Sequence, residues 1–145
     1  MNARRATVLD LPDLLAIARD SYGLDFDELK AREFGLMALM NPNIGCFRTE
    51  DAFCIGGLSE FFWEDERRAN VMFLAVRDKQ SWQAVKALRA VVAWAKAKGA
   101  GSFHFGEETG MRMDVIAKRI GASKDRPSYR IDLRSPQHRF WRRAA

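Results

Sequence analysis

Apolar positions change their spacing several times along the chain, and each change marks an element. Arg4 to Val8 reads as a short strand, ended by Asp10 as a helix cap and Pro12 in the first helical turn. Leu11, Leu14, Leu15 and Ala18 then recur at helical intervals. A second helix is expected after Asp27, with Leu29, Phe34, Met37 and Met40 as apolar positions and Asn41-Pro42-Asn43 as its stop. Gly45 to Glu50 and Ala52 to Trp63 read as an antiparallel hairpin turning at Glu50-Asp51. Gly56-Gly57 within its second arm predicts a bulge or a close backbone approach. EDERRA, residues 64–69, reads as a charged loop, and the apolar run Asn70 to Val76 as a central strand buried on both faces.

A short polar turn, RDKQS, leads from that strand into WQAVKALRAVVAWAKAKG. Ala84, Val85, Ala87, Leu88, Val91, Val92, Trp94 and Ala95 fill one half of the helical wheel, and Gln83, Lys86, Arg89 and Lys96 the other. Gly99 is placed to end this helix. Ser102 to Phe105 predicts another strand, Thr109 to Ile120 a helix capped by Gly121, and Ser128 to Leu133 a closing strand. The order βααβββαβαβ gives an α/β fold of the mixed-sheet kind, with a parallel crossover from Asn70 to Phe105.

A length of 145 residues, 48% hydrophobic, allows one domain, here residues 1–133, followed by a basic tail over 134–145. No apolar run reaches transmembrane length and the N-terminus lacks a signal-peptide core, so no membrane role and a cytoplasmic location are expected. Cys46 and Cys54 flank the hairpin turn and read as reduced, packed thiols, with a cross-hairpin disulfide as the alternative. His104 and His138 lie far apart without cysteines at zinc-site spacing, so no metal site is expected.

The net charge of +5 resembles a nucleic-acid signal until it is located. Of the 24 basic residues, Arg134, Arg139, Arg142 and Arg143 lie in the acid-free tail, which leaves 20 against 19 acidic ones in the body. Nucleic acid is therefore not the expected partner. The tail, with Phe140 and Trp141, reads as a solvated arm or one that packs on another subunit; clamping of phosphates or of an acidic protein surface is the alternative.

With these elements in order, the chain resembles the GNAT (Gcn5-related) N-acetyltransferase superfamily over about residues 4–133. The best local matches are ATVLDLPDLLAIA, the FLAV ending of the fourth strand, AWAKAKGA and VIAKRIGA. The resemblance implies acetyl-CoA as acyl donor. Backbone groups of Phe73, Leu74, Ala75 and Val76 would hold the pantetheine arm. Arg77, Lys79, Gln80, Ser81 and Trp82 would line the pyrophosphate site, where amides at a helix N-terminus attract anions. The family pattern has glycines in that turn, whereas this chain keeps Gln80 and has none between Val76 and Trp82. Trp82 either fills space the phosphates would need or packs beneath the turn.

Amine acetylation needs a base and a donor for the leaving thiolate. Asn70 stands where family members carry a glutamate base, and Ala117 where a tyrosine is common. Glu107, Glu60 and Tyr129 are the candidate replacements; Glu108 shares the position of Glu107, where either also reads as a helix cap. His104, between Phe103 and Phe105, reads as a packed strand residue. Two functions follow. One is transfer of acetyl from acetyl-CoA to an amine on a small molecule or protein. The other is a non-catalytic GNAT-fold binding or assembly protein that uses its basic tail, loosely similar to small phage-encoded GNAT-like proteins, some of them virion components, with a homo-oligomer or an assembly partner through that tail as the alternative partner.

Overall fold

A computed structural model describes residues 2–23, 26–60, 62–63, 65–106 and 112–124. Among these, β1 (Arg4–Arg5), β2 (Ile44–Arg48), β3 (Ala52–Ser59), β4 (Arg67–Val76) and β5 (Ala100–His104) form one sheet in sequential order. The first four strands run antiparallel to their neighbours, and β5 joins β4 in parallel. The helices are α1 (Leu11–Tyr22), α2 (Glu28–Met40), α3 (Ser81–Ala97) and α4 (Met113–Ile120). The closing strand predicted over 128–133 and the basic tail lie outside the described residues.

Alternation along the central strands determines which helices lie on which face, since successive side chains point to opposite sides. Cys54 and Leu74 join Leu88, Val91 and Trp94 of α3 and Ile116 of α4. Phe53, Ile55 and Ala75 join Leu14, Leu15 and Ile17 of α1 and Ala38 of α2. The same alternation separates the thiols: Cys54 belongs to the α3 face and Cys46 to the α1 face. Both are free and buried, and burial pushes the Cys46 thiol up to about 12.

Several predicted details change: β1 ends at Arg5 rather than Val8, β3 ends at Ser59 rather than Trp63, and Met72, in the strand expected to be buried on both faces, is exposed. EDERRA is not all loop, because Arg67, Arg68 and Ala69 already belong to β4 and pair with β5. Leu29, Met37 and Met40 are exposed on α2, which instead buries Gly35 and Ala38; Leu11 and Leu14 approach Gly35 too closely for a larger residue. Gln83, predicted on the polar side of α3, is buried.

Gly56-Gly57 meets both readings made of it. Between Ile55↔Phe73 and Gly56↔Val71 the β3–β4 register shifts, so Met72 is an extra residue on β4. Val91 of α3 packs where a Gly56 side chain would go, and the Met72 sulfur lies 2.9 Å from where a Gly57 Cβ would stand. A bulge bends its strand and sharpens the local twist. The β4–β5 pairing ends at Asn70↔His104, just before this bulge, and leaves the second half of β4 without β5 beside it. β5 itself ends at His104, and among the described residues no strand pairs with the second half of β4 on that side; this edge is the candidate site.

Candidate active site

Beyond the bulge, Leu74, Ala75 and Val76 are buried and Phe73 is half-buried, while their β5-side backbone groups lie outside the ladder. The last turn of α1 reaches these groups. Ser21 Oγ accepts from the Val76 amide at 3.1 Å and donates to the Val76 carbonyl at 2.9 Å. Tyr22 Oη donates to the Leu74 carbonyl at 3.4 Å. Burial raises the Tyr22 phenol above its ordinary value, so it remains a donor at neutral pH.

The adjoining turn holds a backbone that glycines usually supply. Asp78 and Lys79 have φ of 55° and 54°, in the left-handed region where a side chain costs of order 1 kcal/mol. The path of a glycine turn is thus kept without its residues. The Asp78 amide donates to Asp20 Oδ2 at 3.0 Å, a carboxylate where the resemblance places an anion. Next to it, α3 starts at Ser81 with no side-chain cap and no acidic residue in its first turn. Lys79 and Ser81 are exposed and Gln80 is half-buried. Trp82 does not pack beneath the turn; it is 46% exposed, with Lys86 Nζ 4.5 Å from its ring centre.

Arg77 is placed differently from its predicted role. Its guanidinium bonds Asp13 Oδ1 at 2.9 Å and Asp51 Oδ1 at 3.0 Å, so it ties the turn to α1 and the hairpin. Asp13 in turn pairs with Arg48, whose other nitrogen bonds Asp10 Oδ1 at 3.0 Å. Asp10 also takes two bonds from Arg4, at 2.9 and 2.7 Å, and one from the Thr7 amide at 2.8 Å. It is therefore a charge anchor rather than a side-chain cap for α1.

The Arg4 hydrogen bonds hold the Asp10 carboxyl well below the usual carboxylate range, aided by the Thr7 amide and Arg48 and opposed by burial. A carboxyl depressed in the folded state adds stability above its unfolded pKa, and that contribution is lost as pH falls below about 4. Urea midpoints are expected to fall from pH 7 to pH 3. Asp10→Asn should lower the pH 7 midpoint and flatten this dependence; an equally steep fall in the variant would show that other carboxylates carry it.

Among the candidate acid–base residues, Glu60 is exposed and ion-paired with Arg67, at the end of β4 where β5 is still paired. Leu74 lies seven positions along β4 from Arg67, or about 23 Å of strand, so the structure does not bring Glu60 to the open edge. Glu107, Glu108 and Tyr129 lie outside the described residues. Asn70 pairs with Gly57 and His104, and the His104 ring contacts Ser102 Oγ at 3.0 Å. The sequence reading missed Asp20, Ser21 and Tyr22. Their only signal was a polar run closing an amphipathic helix, which is ordinary at a helix end.

Solved structures share this fold despite little sequence identity. An aminoglycoside 6'-N-acetyltransferase, AAC(6')-IG, from Acinetobacter haemolyticus superposes with a TM-score of 0.74 at 14% identity, covering 93% of this chain and 99% of that one. The fold is that of the GNAT acetyltransferases. A second aminoglycoside N-acetyltransferase, AAC(6')-Iy, solved in complex with CoA, gives 0.74 at 13% identity, covering 92% and 95% of the two chains. A structure described as a transcriptional regulator from Bacillus halodurans C-125 gives 0.73 at 9% identity, covering 90% and 98%. No protein-family model and no curated protein sequence matches the chain. At such identities the GNAT likeness establishes the fold, and the chemistry has to be argued from the site.

Proposed function

We propose that the protein is a GNAT-like N-acetyltransferase that receives acetyl-CoA along the open edge of β4 and transfers its acetyl group to an amine. The single observation that carries this reading is the β4 bulge. Pairing with β5 stops at Asn70, so Leu74 and Val76 keep backbone groups outside the ladder, beside a left-handed turn and an uncapped α3 N-terminus. In this reading the pantetheine amides replace Ser21 and Tyr22 on β4, and the pyrophosphate replaces Asp20 at the turn. Lys79 supplies charge there, since Arg77 is held by Asp13 and Asp51. The amine nitrogen bonds to the thioester carbonyl carbon, the C–S bond breaks, and the thiolate takes a proton as the amine gives one up.

A second reading is favoured by one feature of the same site. Asp20 and Ser21 already satisfy the turn and the edge from within the chain, which suits a GNAT-fold binding or assembly protein that has no donor to hold. Acetyl-CoA titration followed by thermal unfolding separates the two. Ligand at 100 times its dissociation constant should add about 2.7 kcal/mol. No shift at millimolar acetyl-CoA would exclude the transferase reading, and a shift without acetylation across an amine panel would favour a binding role.

A further inference from the structure

We infer that the acceptor is a primary amine on a small apolar body, of arylalkyl type, and that this body lies in the cavity between α1, α2 and the sheet. The cavity has a volume of about 350 Å³. One stripe of α1, Leu14, Ala18 and Tyr22, forms one wall at intervals of four residues, and Ala31 and Phe34 of α2 face it. Phe73 of β4 lies against two of these side chains, with ring centres 5.9 Å from Tyr22 and 6.4 Å from Phe34.

Charge and size both narrow the ligand. Among the described residues twelve line the cavity, and of these only Asp27 and Lys30 are charged, with opposite signs. Asp27 Oδ1 is already engaged as the α2 cap, accepting from the Lys30 amide at 3.1 Å. A polycation such as an aminoglycoside needs several carboxylates to offset the loss of water around its ammonium groups, and the described lining residues offer one. The volume lies near the lower limit of ligand pockets, roughly 300–1,000 Å³. It suits one ring with a short linker rather than several linked sugars.

Tyr22 joins this cavity to the open edge. Its ring forms part of the wall, while its hydroxyl bonds the Leu74 carbonyl. A ligand whose ring stacks among Tyr22, Phe34 and Phe73 thus lies beside the edge along which the donor is proposed to lie, within reach of a short linker carrying its nitrogen. Acetylation of that nitrogen rests on the transferase reading; occupation of the cavity does not.

The test is an NMR titration of the protein alone with 2-phenylethylamine and, separately, with kanamycin. The aryl amine should shift the ring signals of Tyr22, Phe34 and Phe73, while kanamycin leaves them in place. Ala31→Leu and Ala18→Met, each narrowing the cavity from a different helix, should weaken 2-phenylethylamine binding by at least about tenfold; a variant whose circular dichroism or melting shows that it is unfolded is replaced by the other. Absence of ring shifts at millimolar 2-phenylethylamine, displacement by kanamycin, or unchanged affinity in a folded narrowed variant would overturn the inference. Mass spectrometry of the same amine with acetyl-CoA decides the other question. Binding without N-acetyl product removes the transferase reading and leaves the cavity's ligand class standing.

Discussion

Arg48→Ala is expected to lose about 3–5 kcal/mol of folding stability, the range for removing one partner of a buried charge pair. The Arg48 side chain is 8% exposed and that of Asp10 is 9% exposed, so neither charge has water to fall back on. Besides Asp10 and Asp13, the guanidinium bonds the carbonyls of Thr49 at 2.9 Å and Glu50 at 3.2 Å. The alanine variant leaves all four acceptors short of a donor. Urea unfolding checks the magnitude, and a loss below about 1 kcal/mol would place the group among ordinary surface pairs. Because Asp13 links Arg48 to Arg77, hydrogen exchange at the Val76 and Asp78 amides should also quicken in the folded variant. Arg48→Lys keeps the charge without the planar fork and should recover only part of the loss.

Phe53→Ala should cost a similar amount, about 3–5 kcal/mol, by removing a fully buried ring from the α1 face of the sheet. Its effect is not independent of the first. The Arg48 guanidinium lies over the Phe53 ring, 4.5 Å from its centre, so the ring also forms part of the surroundings of that charge. The double variant should therefore depart from the sum of the singles by about 0.5–1.5 kcal/mol. Additivity within about 0.3 kcal/mol would show that the stacking contributes nothing measurable.

Much of the fold was legible because apolar periodicity reports burial directly. The α3 stripe of Ala84, Leu88, Val91 and Ala95 and the buried end of β4 were both correctly placed by it. Periodicity misled on α2 at Leu29, Met37 and Met40, which are exposed, whereas Phe34 packs on the core with Leu36 and Leu39 beside the buried Gly35 and Ala38. The start of β4 was missed for a related reason: Arg67 and Arg68 are exposed, and their pairing with β5 is a backbone event that leaves no apolar mark.

The candidate site was legible where it is made of strand and turn, and not where it depends on contacts distant in sequence. Gly56-Gly57 pointed to the bulge that opens β4. Nothing local to residues 77–79 shows that Asp78 and Lys79 take left-handed backbone, or that Arg77 is held by Asp13, 64 residues earlier. The bonds from Ser21 to Val76 and from Tyr22 to Leu74 span 55 and 52 residues and arise only once α1 lies on the sheet. The lack of glycine in RDKQS does not keep Asp78 and Lys79 out of left-handed backbone.

The β4 edge beyond the end of β5 is the proposed acyl-donor site. It is tested most directly by following the backbone amides of Leu74, Val76, Asp78, Ser81 and Trp82 by two-dimensional NMR while acetyl-CoA is added. Saturable shifts centred on these amides, with Ser21 and Tyr22 moving in parallel as their bonds to β4 are exchanged for the ligand, are the predicted result. Unchanged amides at millimolar acetyl-CoA, or shifts confined to the paired end of β4 around Arg67 and Arg68, would contradict it.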